Sequence, residues 1–321
     1  MNGPRGVVET LITEIVTEVT TAEIAVWTIM VASAVVVFSI FAQRRARSEL
    51  NVAAILGWSC VRIAALIAVF VVLAVQVARS GWLTGADTAT LDWFLAHRSV
   101  VWTTLAVAVT TVGGPGGVVL IATVLAAGIG WQRRAIGPAM LVLSPVALAA
   151  AASTLVKLVV RRERPPVSAH LMTETDFSFP SGHVTATTAL AGAVLLVVWM
   201  DPAAGTHTRR TARKFFAIFA AVAVVAAVML TRLYLGVHWL TDVLAGALLG
   251  TTAVLATALV VTAIRLHPDR DREDTVTGHP TPLTRHTVRN SSARHGSVTP
   301  DTFSAATQRR PERLARPSPS P

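Results

Sequence analysis

Cysteine is almost missing from this chain. Cys60 stands alone among 321 residues, so no intrachain disulfide can form and no cysteine-based metal site can be built. Its place inside a hydrophobic run reads as that of a small core residue. Charge is scarce too: 14% of residues are charged against 53% hydrophobic, a balance that excludes an ordinary soluble domain and indicates an integral membrane protein. Acidic residues are the rarer sign, 18 against 28 Lys and Arg, for a net charge of +10. Nucleic acid is not needed to explain that excess. The arginines sit in short loops beside apolar spans and in the C-terminal tail, where membrane orientation accounts for them. The N-terminus also lacks the basic start and small-residue cleavage site of a signal peptide. Met1 to Thr21 instead carries Glu9, Glu14 and Glu18 among Val, Leu and Ile, a weakly amphipathic stretch. The first long apolar run is expected to stay as an anchor. No internal repeat of fixed period is present.

Apolar stretches of membrane-crossing length fall near Ile24 to Ala42, Val52 to Val77, Pro138 to Val160, Val184 to Met200, Phe215 to Leu230 and Leu240 to Ile264. Val101 to Trp131 is ambiguous, because Gly113-Gly114-Pro115-Gly116-Gly117 splits it. It makes either two short crossings or one crossing preceded by a half-buried helix. Charge decides for one. With a single crossing, Arg44, Arg45 and Arg47, Arg133 and Arg134, Arg209, Arg210, Arg213 and Lys214, and the basic tail all fall on one side, which should be cytoplasmic. Seven spans follow, with the N-terminus outside. Arg62 reads as a snorkelling residue near the inner end of its span. Trp82, Trp93 and Phe94 alternate with Asp87, Asp92 and His97 as in a helix lying along the outer leaflet. From His267 onward Pro, Ser, Thr, Arg and Asp dominate, which predicts a disordered, solvated cytoplasmic tail. The expected layout is an N-terminal segment with one span (1–50), a membrane domain (51–265) and the tail (266–321).

Three polar clusters interrupt the apolar sequence, and this topology places all of them at the extracytoplasmic surface. Cations and imidazoles are costly at membrane depth, so their grouping implies a chemical task. In the first, Lys157 closes an apolar helix and Arg164 follows seven residues later, two turns on if the helix continues that far, so both could face one pocket. Pro165 and Pro166 stop the helix and hold the chain extended. Arg161, Arg162 and Arg164 violate the positive-inside tendency, and anion binding would supply a reason. Arg161 and Arg162 could favour a diphosphate or could face lipid headgroups.

The second cluster, Pro180-Ser181-Gly182-His183, opens an apolar helix. Free backbone N–H groups at such an end bind an anion, Ser181 adds a hydroxyl, and Gly182 omits a side chain that would block phosphate. His183 on the first turn could donate a proton to a departing alkoxide. In the third cluster, His238 and Asp242 lie one turn apart, so the carboxylate can fix the ring tautomer and leave the other nitrogen free to attack. The histidine itself could be the nucleophile toward phosphorus. Arg232 would reach the same anion. His183, His238 and Asp242 could also be zinc ligands, but Lys157, Arg164 and Arg232 would repel a divalent ion, so no metal is expected.

The pattern Lys157-x6-Arg164-Pro165, Pro180-Ser181-Gly182-His183, Thr231-Arg232-x5-His238-x3-Asp242 resembles the three-part signature of the type-2 phosphatidic acid phosphatase, or lipid phosphate phosphatase, superfamily. The resemblance covers roughly Val52 to Ile264. Thr231 departs from it, since the third motif usually opens with Ser, but a hydroxyl is kept. The resemblance implies an all-α polytopic membrane bundle: a six-helix phosphatase core plus, here, one extra N-terminal span. It also implies roles. His238 would attack phosphorus and form a phosphohistidine, Asp242 would orient it, and His183 would protonate the leaving oxygen. Lys157, Arg164, Ser181, Gly182 and Arg232 would hold the phosphoryl oxygens. No cofactor, nucleic acid or obligatory protein partner is implied. The expected activity is metal-independent hydrolysis of a lipid-linked phosphate or diphosphate of the phosphatidic acid, phosphatidylglycerol phosphate or polyprenyl diphosphate class. Lipid phosphotransfer and non-catalytic phospholipid binding are the alternatives.

Overall fold

The structure, a computed structural model, describes residues 4–45, 52–200 and 207–266; the expected tail from His267 onward lies outside them. Nine α-helices and one short 3-10 turn (Val167–Ala169) are joined by loops in the described residues, without a strand among them. The α-helices are α1 (Pro4–Arg45), α2 (Val52–Ala78), α3 (Leu83–Ala96), α4 (Val100–Val112), α5 (Pro115–Arg133), α6 (Ile136–Val160), α7 (Gly182–Met200), α8 (His207–Tyr234) and α9 (Leu240–Leu266). Seven of them contain stretches long and apolar enough to cross a bilayer, the first at Thr21–Arg45 within α1. The ambiguous segment breaks where its glycines predict, with Gly114 as N-cap and Pro115 at the first position of α5. At 13 residues, α4 reaches only about 20 Å, short of a hydrocarbon core of about 30 Å. Only α5 in this segment has the length to span.

Two local expectations are corrected. Cys60 is exposed on the bundle surface rather than in the core. Arg62 does not simply snorkel: its guanidinium donates to Ser39 at 3.0 Å and to Gln43, so it clasps α2 to the additional N-terminal helix α1.

The centre of the bundle is packed with small side chains. Ala122, Ala126, Ala149, Ala186, Ala189 and Ala253 form one buried cluster with Val118, Val142, Val146 and Leu190. Between apolar helices in lipid there is little hydrophobic drive, so small residues gain stability by letting backbones approach. The contact that matters most for the site is α7 on α9. A Cβ on Gly246 would stand 2.8 Å from the Ser181 carbonyl, and one on Gly250 would stand 2.7 Å from the Thr185 carbonyl. This Gly-x-x-x-Gly pair seats the start of α7 directly on the first turns of α9. Lys157 near the end of α6, Gly182 at the start of α7, Arg232 near the end of α8 and Asp242 at the start of α9 therefore meet at one end of an antiparallel bundle. Replacing Gly250 by Val should cost about 1–3 kcal/mol through overpacking, read as a lowered thermal midpoint of the detergent-solubilised protein; an unchanged midpoint would show that the two helices are not pressed together.

Candidate active site

All eight residues singled out in the sequence come together at this end, and the charges around them are more ordered than the sequence implied. His238 sits in the short connection between α8 and α9 and is 2% exposed; Asp242 is fully buried. His238 Nδ1 lies 3.3 Å from Asp242 Oδ2, and Arg164 Nη1 lies 3.1 Å from His238 Nε2. A guanidinium can only donate. Nε2 must therefore present its lone pair, which places the ring proton on Nδ1, facing the carboxylate. Burial pushes the His238 pKa down to about 4; Asp242 opposes that shift, while Arg164 and Arg232 add to it. The ring is thus neutral across the physiological range.

Arg232 is fully buried. It donates to Thr110 Oγ1 at 2.9 Å and pairs with Glu174. Arg164 binds the Val237 carbonyl at 2.6 Å and the Asp176 carbonyl at 2.8 Å, and pairs with the Asp176 carboxylate. Glu174 lies 3.7 Å from the same guanidinium. Lys157 Nζ is 3.0 Å from Asp176 and also donates to the Phe177 carbonyl. So Glu174 and Asp176, two carboxylates absent from the sequence reading, bridge the three cations expected to hold phosphate. Burial disfavours the charge on both. For Glu174 the neighbouring Arg232 and Arg164 outweigh it, and for Asp176 Lys157 and Arg164 do, so both pKa values end below the usual carboxylate range. Their position in the loop just before the second cluster was visible in the sequence, but nothing there told them from solvated acids.

The helix-start reading of the second cluster needs one amendment. The Ser181 N–H is not free: it donates to the Asp242 carbonyl at 3.0 Å. The Ser181 hydroxyl is fully buried and has no hydrogen-bond partner, and Arg232 Nε is in the same condition. Buried donors without acceptors are rare in proteins. A side chain on Gly182 would project toward Lys157, its Cβ 3.9 Å from Cε. His183, on the first turn of α7, feels the charges of Arg232, Glu174, His238 and Arg164. Its Nε2 rests against the glycine elbow between α4 and α5, 3.1 Å from where a Cβ on Gly114 would stand.

Arg162 and Asp87 depart furthest from expectation. Arg162 turns inward and pairs with Asp242 Oδ1 and Asp87 Oδ2, each at 2.6 Å. Asp87, expected on the wet face of an interfacial helix, is 2% exposed. Among the described residues no group of three or more His, Cys, Asp or Glu is placed to hold a metal ion.

Residues 138–265 match the sequence profile of the PAP2 superfamily. The decaprenylphosphoryl-5-phosphoribose phosphatase of Mycolicibacterium smegmatis is 38% identical over 102 residues, 31% of this chain and 47% of that protein. The protein of the same name from Mycobacterium tuberculosis is 34% identical over 108 residues, 33% of this chain and 51% of its own length. The chain thus spans about half the length of these curated relatives. A solved structure, a transmembrane PAP2 type phosphatidylglycerolphosphate phosphatase from Bacillus subtilis, superposes with a TM-score of 0.56 at 23% identity, covering 65% of this chain and 98% of that one. The segment that matches the PAP2 superfamily, residues 138–265, holds the buried histidine, carboxylate and cations that share one end of the bundle.

Proposed function

We propose that the protein is a membrane phosphatase that hydrolyses a lipid-linked phosphate through a phosphohistidine at His238. The observation that carries this is the contact of the buried His238 Nε2 with Arg164: a guanidinium can only donate, so this nitrogen offers a lone pair, a nucleophile at the edge of an anion site. Binding alone would need the cations but not that lone pair. In the reaction, Nε2 attacks phosphorus, His183 gives a proton to the departing oxygen, and water then releases phosphate from the ring. Lys157, Arg164, Arg232, the Ser181 hydroxyl and the amides at the start of α7 would meet the charge that grows on the phosphoryl oxygens. The two unpartnered donors, Ser181 Oγ and Arg232 Nε, fit that task.

An apolar cavity of about 630 Å³ between α3, α4 and α8 supports a lipid substrate. It is lined by Trp93, Phe94, Trp102, Leu105, Val109 and Leu230 and reaches Thr231, the neighbour of Arg232. A prenyl or acyl chain lying there would put its phosphate at the cationic end. The relatives' name favours a polyprenyl-linked phosphate over a glycerolipid. The basic residues Arg44 and Arg45, Arg133, Arg209 and Arg210, and Arg265 lie at the ends of α1 and α5, the start of α8 and the end of α9, opposite the site. This supports a site on the extracytoplasmic side.

Phosphate release from lipid phosphates should fall by about a thousandfold or more in His238→Ala, whereas a protein that only binds headgroups would keep its function. Activity should be the same in excess EDTA as in magnesium; a loss in chelator that magnesium restores would count against a metal-free site. Because His238 must be neutral to attack, the acid limb of single-turnover phosphoenzyme formation should lie near pH 4. An acid limb near 6.5, the value of a free imidazole, would mean that the ring is not buried during turnover. Finally, Glu174 occupies guanidinium positions that an incoming phosphoryl group needs. Glu174→Gln should lower KM by roughly fivefold, equivalent to about 1 kcal/mol of a partly exposed ion pair; a raised KM would show that the carboxylate helps to hold substrate.

A further inference from the structure

The carboxylate that orients His238 is itself held by Arg162, whose other arm pairs with Asp87, a buried carboxylate from outside the matched segment. We infer that Asp87 and Arg162 are positioning residues for the His238–Asp242 pair, and that Asp87 supplies the negative charge that lets Asp242 stabilise the reacting ring. The inference rests on the phosphatase reading above and deepens it.

Asp242 is surrounded. Its Oδ2 accepts from the Trp239 N–H at 2.8 Å, from the Ser178 hydroxyl and from His238 Nδ1, while Oδ1 accepts from Arg162 at 2.6 Å. The other arm of Arg162 reaches Asp87 Oδ2 at 2.6 Å. Asp87 in turn accepts the Thr241 N–H at 2.8 Å on Oδ1 and the Thr241 hydroxyl at 2.8 Å on Oδ2, and Arg162 donates to that hydroxyl at 2.7 Å. Trp239 lies under the guanidinium, 5.4 Å from ring centroid to Cζ. One planar fork thus joins two carboxylates that are 1% and 0% exposed. Asp87 also pins the first turn of α9, the turn that carries Asp242. Its helix, α3, lies outside residues 138–265.

Counting charge gives the arrangement a purpose. Asp242 paired with Arg162 alone would be a neutral unit and would do little for a ring acquiring positive charge as Nε2 bonds to phosphorus. With Asp87 included, the trio carries one net negative charge. In a water-poor site that charge acts at close range. Two guanidinium nitrogens aimed in different directions are required, which a lysine cannot supply. The effect should therefore appear in the chemical step and spare substrate binding, because the Arg162 guanidinium is taken up by Asp87, Thr241 and Asp242, while the cations proposed to hold phosphate are Lys157, Arg164 and Arg232.

The test uses the full-length protein in detergent, with phosphatidic acid and farnesyl phosphate in mixed micelles as probes. In Asp87→Asn and in Arg162→Lys, kcat should fall about thirtyfold with KM within twofold of wild type. In an Asp242→Asn background, Asp87→Asn should cost nothing further, since its influence runs through Asp242. Losses that multiply in the double variant, an unchanged kcat in the single variants, or a failure of both single variants to fold would each overturn the inference in favour of a purely architectural pair. Failure of the underlying reading looks different: wild type would release no phosphate from either probe, or His238→Ala would match it, and the inference would fall with it.

Discussion

Burying guanidinium groups at the end of an apolar bundle is the constraint from which the rest of this structure follows. An unpaired charge there would be prohibitively costly, so each buried cation must be assigned an anion. The protein uses two kinds. Asp87 and Asp242, with side chains 1% and 0% exposed, pair with Arg162 and are permanent parts of the scaffold. Glu174 and Asp176, with side chains 18% and 55% exposed, pair with Arg232, Arg164 and Lys157 from the loop before α7. Only the second pair can be exchanged for an incoming anion without unpacking a helix. Exposure thus separates the charges that build the site from those that a substrate could replace.

Close backbone approach is what brings these charges together. Gly246 and Gly250 let α7 settle on α9 until the Ser181 amide bonds the Asp242 carbonyl. Gly113 and Gly114 do the same for the elbow between α4 and α5: a Cβ on Gly113 would come within 2.6 Å of Val228, and one on Gly114 would crowd His183. Thr187 secures that elbow by donating to the Gly113 carbonyl at 3.0 Å. The glycine run that made the topology ambiguous in the sequence is therefore a packing surface for the histidine of the second cluster.

The sequence made the helices and the three motifs legible because both are written locally. Apolar runs of spanning length are contiguous, and His238 and Asp242 declare their proximity by a spacing of four. What stayed hidden depends on partners distant in the chain. Asp87 and Asp92 look alike in sequence, each acidic on a helix rich in tryptophan, yet α9 covers Asp87 and leaves Asp92 exposed. Arg162 was indistinguishable from Arg161 until the chain turned: Arg161 takes a left-handed conformation at the end of α6 and bonds back to Leu158, which directs Arg162 inward. Glu174 and Asp176 read as loop acids because no local pattern marks a carboxylate as the counterion of Arg232. The Gly246-x-x-x-Gly250 spacing was a readable signal for helix packing, and its meaning follows from lipid physics rather than from the catalytic motifs.

The bond from the Ser181 amide to the Asp242 carbonyl changes how the site should be thought of. An amide spent on the protein is one fewer for the anion, which weakens the simple picture of a helix terminus as the phosphate site. In return, the segment that offers the hydroxyl and the remaining α7 amides is fixed to the helix that carries the nucleophile's partner. Within α7, Thr185 stiffens that segment by bonding the Ser181 carbonyl through both its amide and its hydroxyl. In the proposed reaction, the donors for the phosphoryl oxygens and the ring that would attack phosphorus then form one rigid piece. In-line displacement depends on alignment within a fraction of an ångström, and a shared backbone bond holds that alignment more tightly than two helices that each contributed a free amide could.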